Sequence, residues 1–273
     1  MTDRYAVMGN PLGHTKSPFI HDRFAAATGQ DIAYEAIEAP LDGFARAVDA
    51  FRSGGGKGMN VTAPFKLEAF ALATECSSRA VQAGAANALL FRGNDILAEN
   101  FDGVGLVRDI ESNLRFPMRD CAVLLLGAGG AARGAVPIIL ERGPAKLTIV
   151  NRTLSKAVSL RDQYAAFGDV ACGGYADLPD NVFEIVINAT SASLYGQALP
   201  IRAGLFGRTT LAYELAYGKG LTPYQQLARQ AGVGRSIDGV GMLVEQAAEA
   251  FQWWRGVRPQ TRSVIDAITV PIA

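Results

Sequence analysis

Charged residues stand at the ends of two apolar runs in the first third of the chain. The segment Asn60–Lys66 ends in a lysine, and the segment Glu99–Gly103 contains Asp102. An ammonium group supplies a positive charge and a proton to an oxygen on which negative charge develops, and a carboxylate can orient it. A glycine-rich segment, Gly127–Ala132, follows. A cationic proton donor, a carboxylate partner and a nicotinamide-binding segment are together what the reduction of a carbonyl group requires, although each alone is weak evidence.

The glycine-rich segment stands between a predicted strand and a predicted helix. Cys121–Leu126 is apolar on both faces, as a central strand of a parallel sheet should be, and a helical pattern runs on to about Glu141. In this order Gly127 permits a tight turn, and Gly129 lets the backbone approach a pyrophosphate at the helix N-terminus. The alternative is a glycine-rich turn that binds no nucleotide, but the complete strand–turn–helix context favours a dinucleotide site.

The end of the next predicted strand indicates which dinucleotide binds. An NAD-selective site commonly has an acidic residue there for the ribose 2′-hydroxyl. This chain has Asn151, Arg152 and Thr153, with Lys156 one turn further on. A guanidinium binds a 2′-phosphate that a carboxylate would repel, so we predict NADP(H) as the cofactor. The alternatives are a solvated arginine at a helix start and a Thr153 that serves only as the helix N-cap.

Several polar side chains are candidates for holding a small substrate. Thr15 and Ser17 follow the first predicted strand and can hold a carboxylate or hydroxyls near a helix start. Ser17 followed by Pro18 is equally typical of a helix N-cap. Asn87 lies among small apolar residues, and Gln246 lies on the apolar stripe of a late helix. Each amide needs a hydrogen-bond partner, either in the protein or on a ligand.

The two charged residues also have ordinary interpretations. A lysine flanked by Phe65 and Leu67 is more often one that extends its stem over apolar surface, and spacing alone favours that interpretation for Lys66. Asp102 begins the run Asp-Gly-Val-Gly and is as typical of a helix N-cap or an Asx turn as of a functional carboxylate. The residues by themselves leave these alternatives open.

Composition and charge argue against several classes of protein. Hydrophobic residues make up 49% and charged residues 19% of the 273 residues, which is typical of a chain with a well-buried core. Lysine plus arginine and aspartate plus glutamate number 26 each, which argues against nucleic acid or a membrane as the main partner. Three scattered cysteines and two histidines predict neither a disulfide framework nor a metal site. With no apolar run long enough to span a bilayer, we expect a cytoplasmic protein.

Short β-rich runs alternate with helical patterns, which predicts an α/β fold with largely parallel sheets. The predicted strands are Tyr5–Gly9, Ile32–Ala39, Gly58–Thr62, Ala85–Phe91, Ile96–Asn100, Cys121–Leu126, Lys146–Val150, Phe183–Asn188 and Leu211–Leu215. The predicted helices are Ser17–Thr28, Leu41–Arg52, Pro64–Ala73, Gly103–Asn113, the helix after the glycines, Leu154–Phe167, a helix capped by Thr222, and Gly241–Arg255.

Taken together, these segments resemble the shikimate dehydrogenase family over essentially the whole chain. The matching segments, in the family's order, are Gly9–Pro18, Asn60–Lys66, Gly84–Asn87, Asp102 with Gly103, Gly127–Ala132, Asn151–Thr153, Asn188–Ser191, Tyr217 and Gly239–Gln246. The resemblance implies an N-terminal α/β substrate domain plus a Rossmann-like NADP-binding domain, with a cleft between them. Residues 1–102 and 239–273 would form the substrate-binding and catalytic domain, and residues 103–238 the NADP-binding domain.

The resemblance also implies a reaction and a role for each matching residue. The reaction is the reversible, NADPH-dependent reduction of 3-dehydroshikimate to shikimate in aromatic amino-acid biosynthesis, by a monomer or a homodimer. Lys66 and Asp102 would be the catalytic acid–base pair. The substrate-binding residues would be Thr15, Ser17, Thr62, Lys66, Asn87, Asp102, Tyr217 and Gln246. The cofactor-binding residues would be Gly127, Ala128, Gly129, Gly130, Ala131, Asn151, Arg152, Thr153, Lys156, Gly239 and Met242, and no metal would be bound.

Some positions depart from the family's pattern, and Ala192 lies in a segment whose small residues vary. Thr15 stands where a serine is commoner, Phe101 replaces a usual threonine, and Glu214 stands where an aspartate is frequent. Thr15 and Phe101 are expected to flank the substrate pocket, so they leave the choice between shikimate and quinate open. A quinate/shikimate dehydrogenase is therefore the alternative function. A non-catalytic NADP-binding redox sensor is the alternative from another class, although such a protein would not need the acid–base pair.

Overall fold

The computed structural model describes residues 2–13, 15–179, 181–218 and 220–270. His14, which belongs to the matching segment Gly9–Pro18, lies outside these residues. The chain divides into two compact units, one formed by residues up to Gly105 with Leu243–Ala267, the other mainly by Leu106–Met242. The sequence analysis divides the chain after residues 102 and 238 into a substrate-binding and an NADP-binding domain. That division stays a prediction.

The first unit is built on a six-stranded sheet in the order β2-β1-β3-β5-β6-β4. Its strands are β1 (Asp3–Gly9), β2 (Ile32–Glu38), β3 (Gly56–Val61), β4 (Glu75–Cys76), β5 (Ala88–Arg92) and β6 (Asp95–Glu99). The predicted parallel pairings hold except at β5, which runs antiparallel to both β3 and β6. Only Gly93 and Asn94 join β5 to β6, and a two-residue connection permits only an antiparallel pair.

The second unit is built on a six-stranded sheet in which all the described pairings are parallel. Its strands are β7 (Ala122–Leu126), β8 (Lys146–Val150), β9 (Val170–Gly173), β10 (Phe183–Asn188), β11 (Phe206–Glu214) and β12 (Arg235–Ile237). They lie in the order β12-β11-β10-β7-β8-β9. If β7 to β12 are numbered 1 to 6 and the sheet is read from the β9 edge, the strand order is 3-2-1-4-5-6. This is the strand order of a Rossmann fold. The predicted α/β class with a Rossmann-like domain is confirmed.

Local capping signals mark some of the helix starts and ends. The helices are α1 (Ser17–Thr28), α2 (Phe44–Ser53), α3 (Lys66–Leu72), α4 (Ser78–Ala83), α5 (Asp102–Arg108), α6 (Gly130–Glu141), α7 (Leu154–Tyr164), α8 (Pro223–Gln230), α9 (Val240–Arg255) and α10 (Arg262–Ile268). A capping box of Thr222 and Gln225 begins α8, and Gly232, at φ +79°, follows its end as predicted. The prediction of Ser17 as the N-cap of α1 is wrong. Lys16 occupies that position, and no side chain makes a capping hydrogen bond there.

The buried strands are the ones that the sequence predicts best. The stretch from Val123 to Leu126 in β7 is wholly buried, as is the stretch from Ile185 to Asn188 in β10. The sequence patterns do not predict β4, β9, β12, α4 or α10; the three strands lie at sheet edges, where few side chains are buried. Within the part of the chain described, no helix is long and apolar enough to cross a membrane.

Candidate active site

Two charged residues from separate segments form an ion pair in the first unit. Lys66 begins α3 shortly after β3, and Asp102 begins α5 shortly after β6. Lys66 Nζ donates a hydrogen bond to Asp102 Oδ2 at 2.6 Å. The Asp102 side chain is 6% exposed and that of Lys66 24% exposed. A lysine that only covered apolar surface would not be held on a buried carboxylate, so the geometry supports a role for Lys66 beyond packing.

Neighbouring amides fix the Asp102 carboxylate. Asn87 Nδ2 donates to Asp102 Oδ1 at 2.8 Å, so each carboxylate oxygen has a donor. Asn87 Oδ1 accepts from the backbone N–H of Phe101 at 2.9 Å. Asn100 Oδ1 accepts from the backbone N–H of Asp102 at 3.1 Å. Because Asn100 makes the bond that caps the start of α5, the Asp102 carboxylate is left for Lys66.

Gln246 joins α9 to the same group of side chains. Its Oε1 accepts from Asn87 Nδ2 at 3.2 Å, and its Nε2 donates to Leu243 O at 2.9 Å. Asn87 is only 2% exposed, whereas Gln246 is half-buried. These bonds connect four side chains, which we call the acid–base cluster: Lys66, Asp102, Asn87 and Gln246.

Three predicted substrate-binding residues follow β1 and β3. These strands are parallel, and Met8 pairs with Val61, so both chains leave the sheet at the same edge. Thr62 comes directly after β3. Thr15 Oγ1 donates to Ser17 Oγ and accepts from the Ser17 backbone N–H, both at 3.3 Å. Lys66 begins the helix after β3 at this same edge, so the hydroxyls and the ammonium follow neighbouring strand ends.

Tyr217 belongs to the second unit, three residues after the end of β11. It is half-buried, and burial raises the pKa of its phenol. The phenol is therefore a neutral hydrogen-bonding group near neutral pH. Its membership of the substrate-binding set stays a prediction.

The glycine-rich turn between β7 and α6 has the geometry that a pyrophosphate requires. Gly127 has φ +113°, and a Cβ there would lie 3.0 Å from Ala189 O, so the turn needs glycine. A Cβ at Gly129 or Gly130 would meet no described atom within 4 Å. The turn therefore leaves open space over its backbone at the N-terminus of α6, where free N–H groups favour an anion. Of the two alanines in the turn, Ala128 is buried and Ala131 half-buried.

The basic residues predicted to bind a 2′-phosphate lie at the same edge of the second sheet. Leu126 pairs with Val150 in parallel strands, so Gly127 and Arg152 both follow the carboxyl ends of neighbouring strands. Arg152 is exposed, as is Lys156 in the first turn of α7. Two exposed cations beside the glycine turn form a site of the right charge for a phosphate.

Asn151 and Thr153 shape the turn that carries Arg152. Asn151 Nδ2 donates to Thr153 O at 2.9 Å, and the Asn151 backbone N–H donates to Gly173 O at 3.2 Å. Thr153 occupies the N-cap position of α7, but its side chain makes no capping bond. Its hydroxyl is therefore not committed to the helix start.

Gly239 and Met242 lie at the start of α9. Two residues that support this region, Tyr213 and Asp109, are not predicted from the sequence. A Cβ on Gly239 would overlap the backbone of Leu215, so this position also needs glycine. The Met242 backbone N–H donates to Tyr213 Oη at 3.2 Å, and Tyr213 donates to Asp109 Oδ2 at 2.7 Å. Burial, reinforced by the nearby carboxylate, raises the pKa of Tyr213 well above its ordinary value. Neither residue has a sequence signal beyond its polarity within an apolar run.

Glu214 is a second buried carboxylate, at a position where the family's pattern commonly has an aspartate. Glu214, at the end of β11, accepts from Asn188 Nδ2 at 2.9 Å and from Thr222 Oγ1 at 3.1 Å. It also accepts from Ser193 Oγ at 2.5 Å. Burial is the main cause that raises the pKa of Glu214, against these hydrogen bonds. The Glu214 carboxylate therefore links the segment after β10 to the start of α8 by hydrogen bonds. The segment after β10 also contacts the Gly127 turn through Ala189.

The Phe101 side chain does not take the position expected of it. Its ring is 3% exposed and contacts Trp253 edge-to-face, with ring centroids 5.9 Å apart. The Arg79 guanidinium lies 5.5 Å from the Phe101 centroid. The expectation that Phe101 flanks an open pocket is corrected: its backbone N–H contacts the acid–base cluster, while its ring belongs to the hydrophobic core.

These two sites define a class of protein. One unit has a Rossmann-type sheet with a dinucleotide-binding turn, and the other has a lysine held on a buried carboxylate. The described side chains include no group of three or more that could hold a metal ion. The chain is an oxidoreductase that uses a nicotinamide dinucleotide.

Comparisons with known proteins identify the family. Residues 7–89 match the model of the shikimate dehydrogenase substrate binding domain, residues 110–196 that of shikimate / quinate 5-dehydrogenase, and residues 239–269 that of the shikimate 5'-dehydrogenase C-terminal domain. A shikimate dehydrogenase (NADP(+)) of Nitrosospira multiformis is 55% identical over 97% of this chain and 96% of its own. The chain belongs to the shikimate dehydrogenase family.

Solved structures agree with this assignment. The Ael1 enzyme from Pseudomonas putida is 57% identical, with a TM-score of 0.95 and 100% of both chains covered. Shikimate 5-dehydrogenase from Thermus thermophilus, solved in complex with NADP(H) and shikimate, is 27% identical with a TM-score of 0.86. That match covers 97% of this chain and 98% of the Thermus chain.

Proposed function

We propose that the protein catalyses the reversible, NADPH-dependent reduction of 3-dehydroshikimate to shikimate in aromatic amino-acid biosynthesis. The observation that carries the proposal is the Lys66–Asp102 ion pair, held by Asn87 and Gln246. It occurs in a chain that is 55% identical to a shikimate dehydrogenase (NADP(+)). A protein that only sensed NADP would have no need of this cluster.

The acid–base cluster accounts for the protein's part of the chemistry. NADPH, when bound, supplies the hydride. As negative charge develops on the substrate's carbonyl oxygen, Lys66 stabilises it and donates a proton from Nζ. Asp102 holds Nζ in place, and Asn87 holds Asp102. In the oxidation direction Lys66 takes the proton from the substrate hydroxyl as general base.

The hydroxyl-bearing residues hold the remainder of the substrate. Thr15, Ser17 and Thr62 bind its carboxylate and nearby hydroxyls, because they follow strand ends at the edge where Lys66 lies. Asn87 and Gln246 bind hydroxyls beside the carbonyl, and Tyr217 completes the set. Residues 1–102 and 239–273, which contain all of these residues except Tyr217, are the substrate-binding and catalytic domain.

Residues 103–238 bind NADP(H). The Gly127–Ala131 turn fits a pyrophosphate, since Gly129 leaves space over its backbone at a helix N-terminus. Arg152 and Lys156 bind the 2′-phosphate that distinguishes NADP from NAD, and Asn151 and Thr153 shape that turn. Gly239 and Met242 contact the cofactor from the start of α9.

The test is a set of initial rates for shikimate and quinate oxidation, each with NADP⁺ and NAD⁺. We expect shikimate with NADP⁺ to be the fastest pair by at least an order of magnitude. Quinate turnover close to that of shikimate would favour the alternative, a quinate/shikimate dehydrogenase, which the match of residues 110–196 also fits. Absence of all four reactions would favour a non-catalytic NADP-binding protein.

We further infer a cytoplasmic enzyme that works as a monomer or a homodimer. The free cysteines Cys76, Cys121 and Cys172 agree with a reducing compartment. Sedimentation of the pure protein distinguishes the two assembly states, and a mass above that of a dimer would contradict the inference.

A further inference from the structure

A buried tyrosine connects the start of α9 to a buried carboxylate in the second unit. Tyr213, in β11, is fully buried, and Asp109, which directly follows α5, is 2% exposed. Tyr213 Oη donates to Asp109 Oδ2 at 2.7 Å and accepts from the backbone N–H of Met242 at 3.2 Å. Asn113 Nδ2 donates to the other Asp109 oxygen at 2.9 Å. A continuous path of hydrogen bonds therefore runs from Asp109 through Tyr213 to Met242.

The donors and acceptors fix the direction of each bond in this path. A backbone N–H can only donate and a carboxylate can only accept. A phenol has one proton, so Tyr213 gives it to Asp109 and receives the N–H of Met242. Burial, and after it the Asp109 carboxylate, raise the pKa of Tyr213 well above its ordinary value, so the phenol keeps its proton near neutral pH.

The path ends at a backbone group that the helix itself does not satisfy. Met242 is the third residue of α9, and the first N–H groups of a helix have no partner within it. Tyr213 supplies the partner for Met242. The same turn also packs on Asp109, because a Cβ on Gly241 would overlap the Asp109 carboxylate. The start of α9 is thus held from β11 and from the segment after α5 at once.

We propose that Tyr213 is a positioning residue for the nicotinamide half of NADP(H): through its bond to the Met242 N–H, it fixes the start of α9 where that half of the cofactor binds. This inference rests on the proposed function, which assigns Gly239 and Met242 to the cofactor. A segment that is ordered before binding loses less conformational freedom when the cofactor binds.

The strand order indicates which half of the cofactor is concerned. In the proposed function, Arg152, after β8, binds the 2′-phosphate of the adenosine half, and the turn after β7 binds the pyrophosphate. The strands lie in the order β11-β10-β7-β8, so the side of β7 away from β8 is left for the nicotinamide half. Tyr213 is the next-to-last residue of β11 and lies near its carboxyl end, the edge at which such sheets bind dinucleotides.

Calorimetric titration of NADP⁺ and of adenosine 2′,5′-bisphosphate into the wild type and Tyr213→Phe tests this role. The bisphosphate carries the 2′-phosphate but has no nicotinamide. Tyr213→Phe keeps the ring and removes the acceptor of the Met242 N–H. We expect the Kd for NADP⁺ to rise about threefold to tenfold, the range for one lost hydrogen bond, while the Kd for the bisphosphate stays within about twofold. Loss of stability alone would not distinguish the two nucleotides.

Tyr224→Phe is the matched control. Tyr224 lies in α8 of the same unit, is 2% exposed, and donates its phenol proton to Val186 O in β10 at 2.7 Å. The substitution therefore removes an equally buried hydroxyl that bonds a strand and not the start of α9. The Kd for each nucleotide should stay within about twofold of the wild-type value.

Asp109→Asn replaces Tyr213→Phe if that variant does not fold. An amide has one acceptor oxygen where Asp109 uses two, and a neutral oxygen accepts the Tyr213 proton more weakly than a carboxylate. The same selective loss of NADP⁺ affinity is expected. In either variant, an unchanged Kd for NADP⁺ or an equal rise for both nucleotides would overturn the inference. A wild-type protein that binds neither nucleotide would contradict the proposed function instead.

Discussion

Lys66 Nζ and Asp102 Oδ2 lie 2.6 Å apart, although 36 positions separate the two residues in the chain. Lys66 follows β3 and Asp102 follows β6, and only β5 lies between these strands in the sheet. The antiparallel β5–β6 hairpin returns the chain so that Asp102 emerges near β3. Asn87 comes directly before β5 and bonds the same carboxylate. The sheet topology therefore assembles the acid–base cluster.

Loss of the ammonium should remove most of the catalysis and little of the substrate binding. Lys66→Ala is expected to lower kcat for shikimate oxidation by about 10² or more with a modest change in KM, because it removes the group that we propose moves the proton. Lys57→Ala, at an exposed position in β3, is the control and should match the wild type. Steady-state kinetics measure both, and equal turnover in Lys66→Ala would contradict the acid–base assignment.

Two glycines of the nucleotide turn should respond differently to the same substitution. Gly127→Ala should lower the unfolding midpoint, because it adds a Cβ 3.0 Å from Ala189 O at φ +113°. Gly129→Ala meets open space and should leave the midpoint unchanged while weakening NADP⁺ binding about tenfold or more, because the methyl occupies space that the pyrophosphate needs. Thermal unfolding with and without NADP⁺ measures both effects. Unchanged NADP⁺ affinity in Gly129→Ala would place the nucleotide elsewhere.

The preference for NADP over NAD should depend on Arg152. Arg152→Gln removes the guanidinium that we propose binds the 2′-phosphate, so the KM for NADP⁺ is expected to rise about tenfold while that for NAD⁺ changes little. Arg161→Gln, at an arginine further along α7 whose side chain is 39% exposed, is the control. Parallel kinetics with the two nucleotides give the ratio. An equal rise for both nucleotides would exclude a 2′-phosphate contact.

Buried His21 should make the protein sensitive to acid. Its pKa is about 3 in the folded protein against an ordinary 6.5, so between these values the unfolded chain binds a proton that the folded chain does not. The free energy of unfolding is therefore fully present above pH 6.5 and falls as the pH drops toward 3. His21→Phe should show a shallower fall, measured from urea midpoints between pH 7 and pH 4. Parallel curves for the two proteins would contradict the prediction.

Phe101 should matter for stability and not for substrate choice. Phe101→Thr removes a ring buried against Trp253 and should cost about 3 kcal/mol of unfolding free energy. The ratio of quinate to shikimate turnover should stay within about twofold, because the ring is buried against Trp253. Thr15→Ser, at a position proposed to bind substrate, is the comparison and should move the KM for shikimate more. A changed substrate ratio in Phe101→Thr would restore the original expectation.

Local signals were sufficient for much of the fold. The buried runs of β7 and β10, the capping box at Thr222 and the glycine turn are properties of a few adjacent residues, and the sequence predicts each of them. Ser17 shows where local reasoning ends. Ser-Pro is a good N-cap signal, yet Lys16 takes the N-cap position of α1 and the buried Ser17 side chain makes no capping hydrogen bond. Burial of a side chain depends on the tertiary structure, and local patterns do not register it.

The sequence by itself determined the α/β class, the dinucleotide turn and the identities of the groups that carry chemistry. It also showed that Asn87 and Gln246 each needed a partner. Only the tertiary structure decided that they bond one another across 159 positions, and that Asn87 also bonds the Asp102 carboxylate. The physical reason is that apolar periodicity and glycine turns act over a few residues, whereas hydrogen-bond partners distant in the chain meet only when strand order and register bring them together.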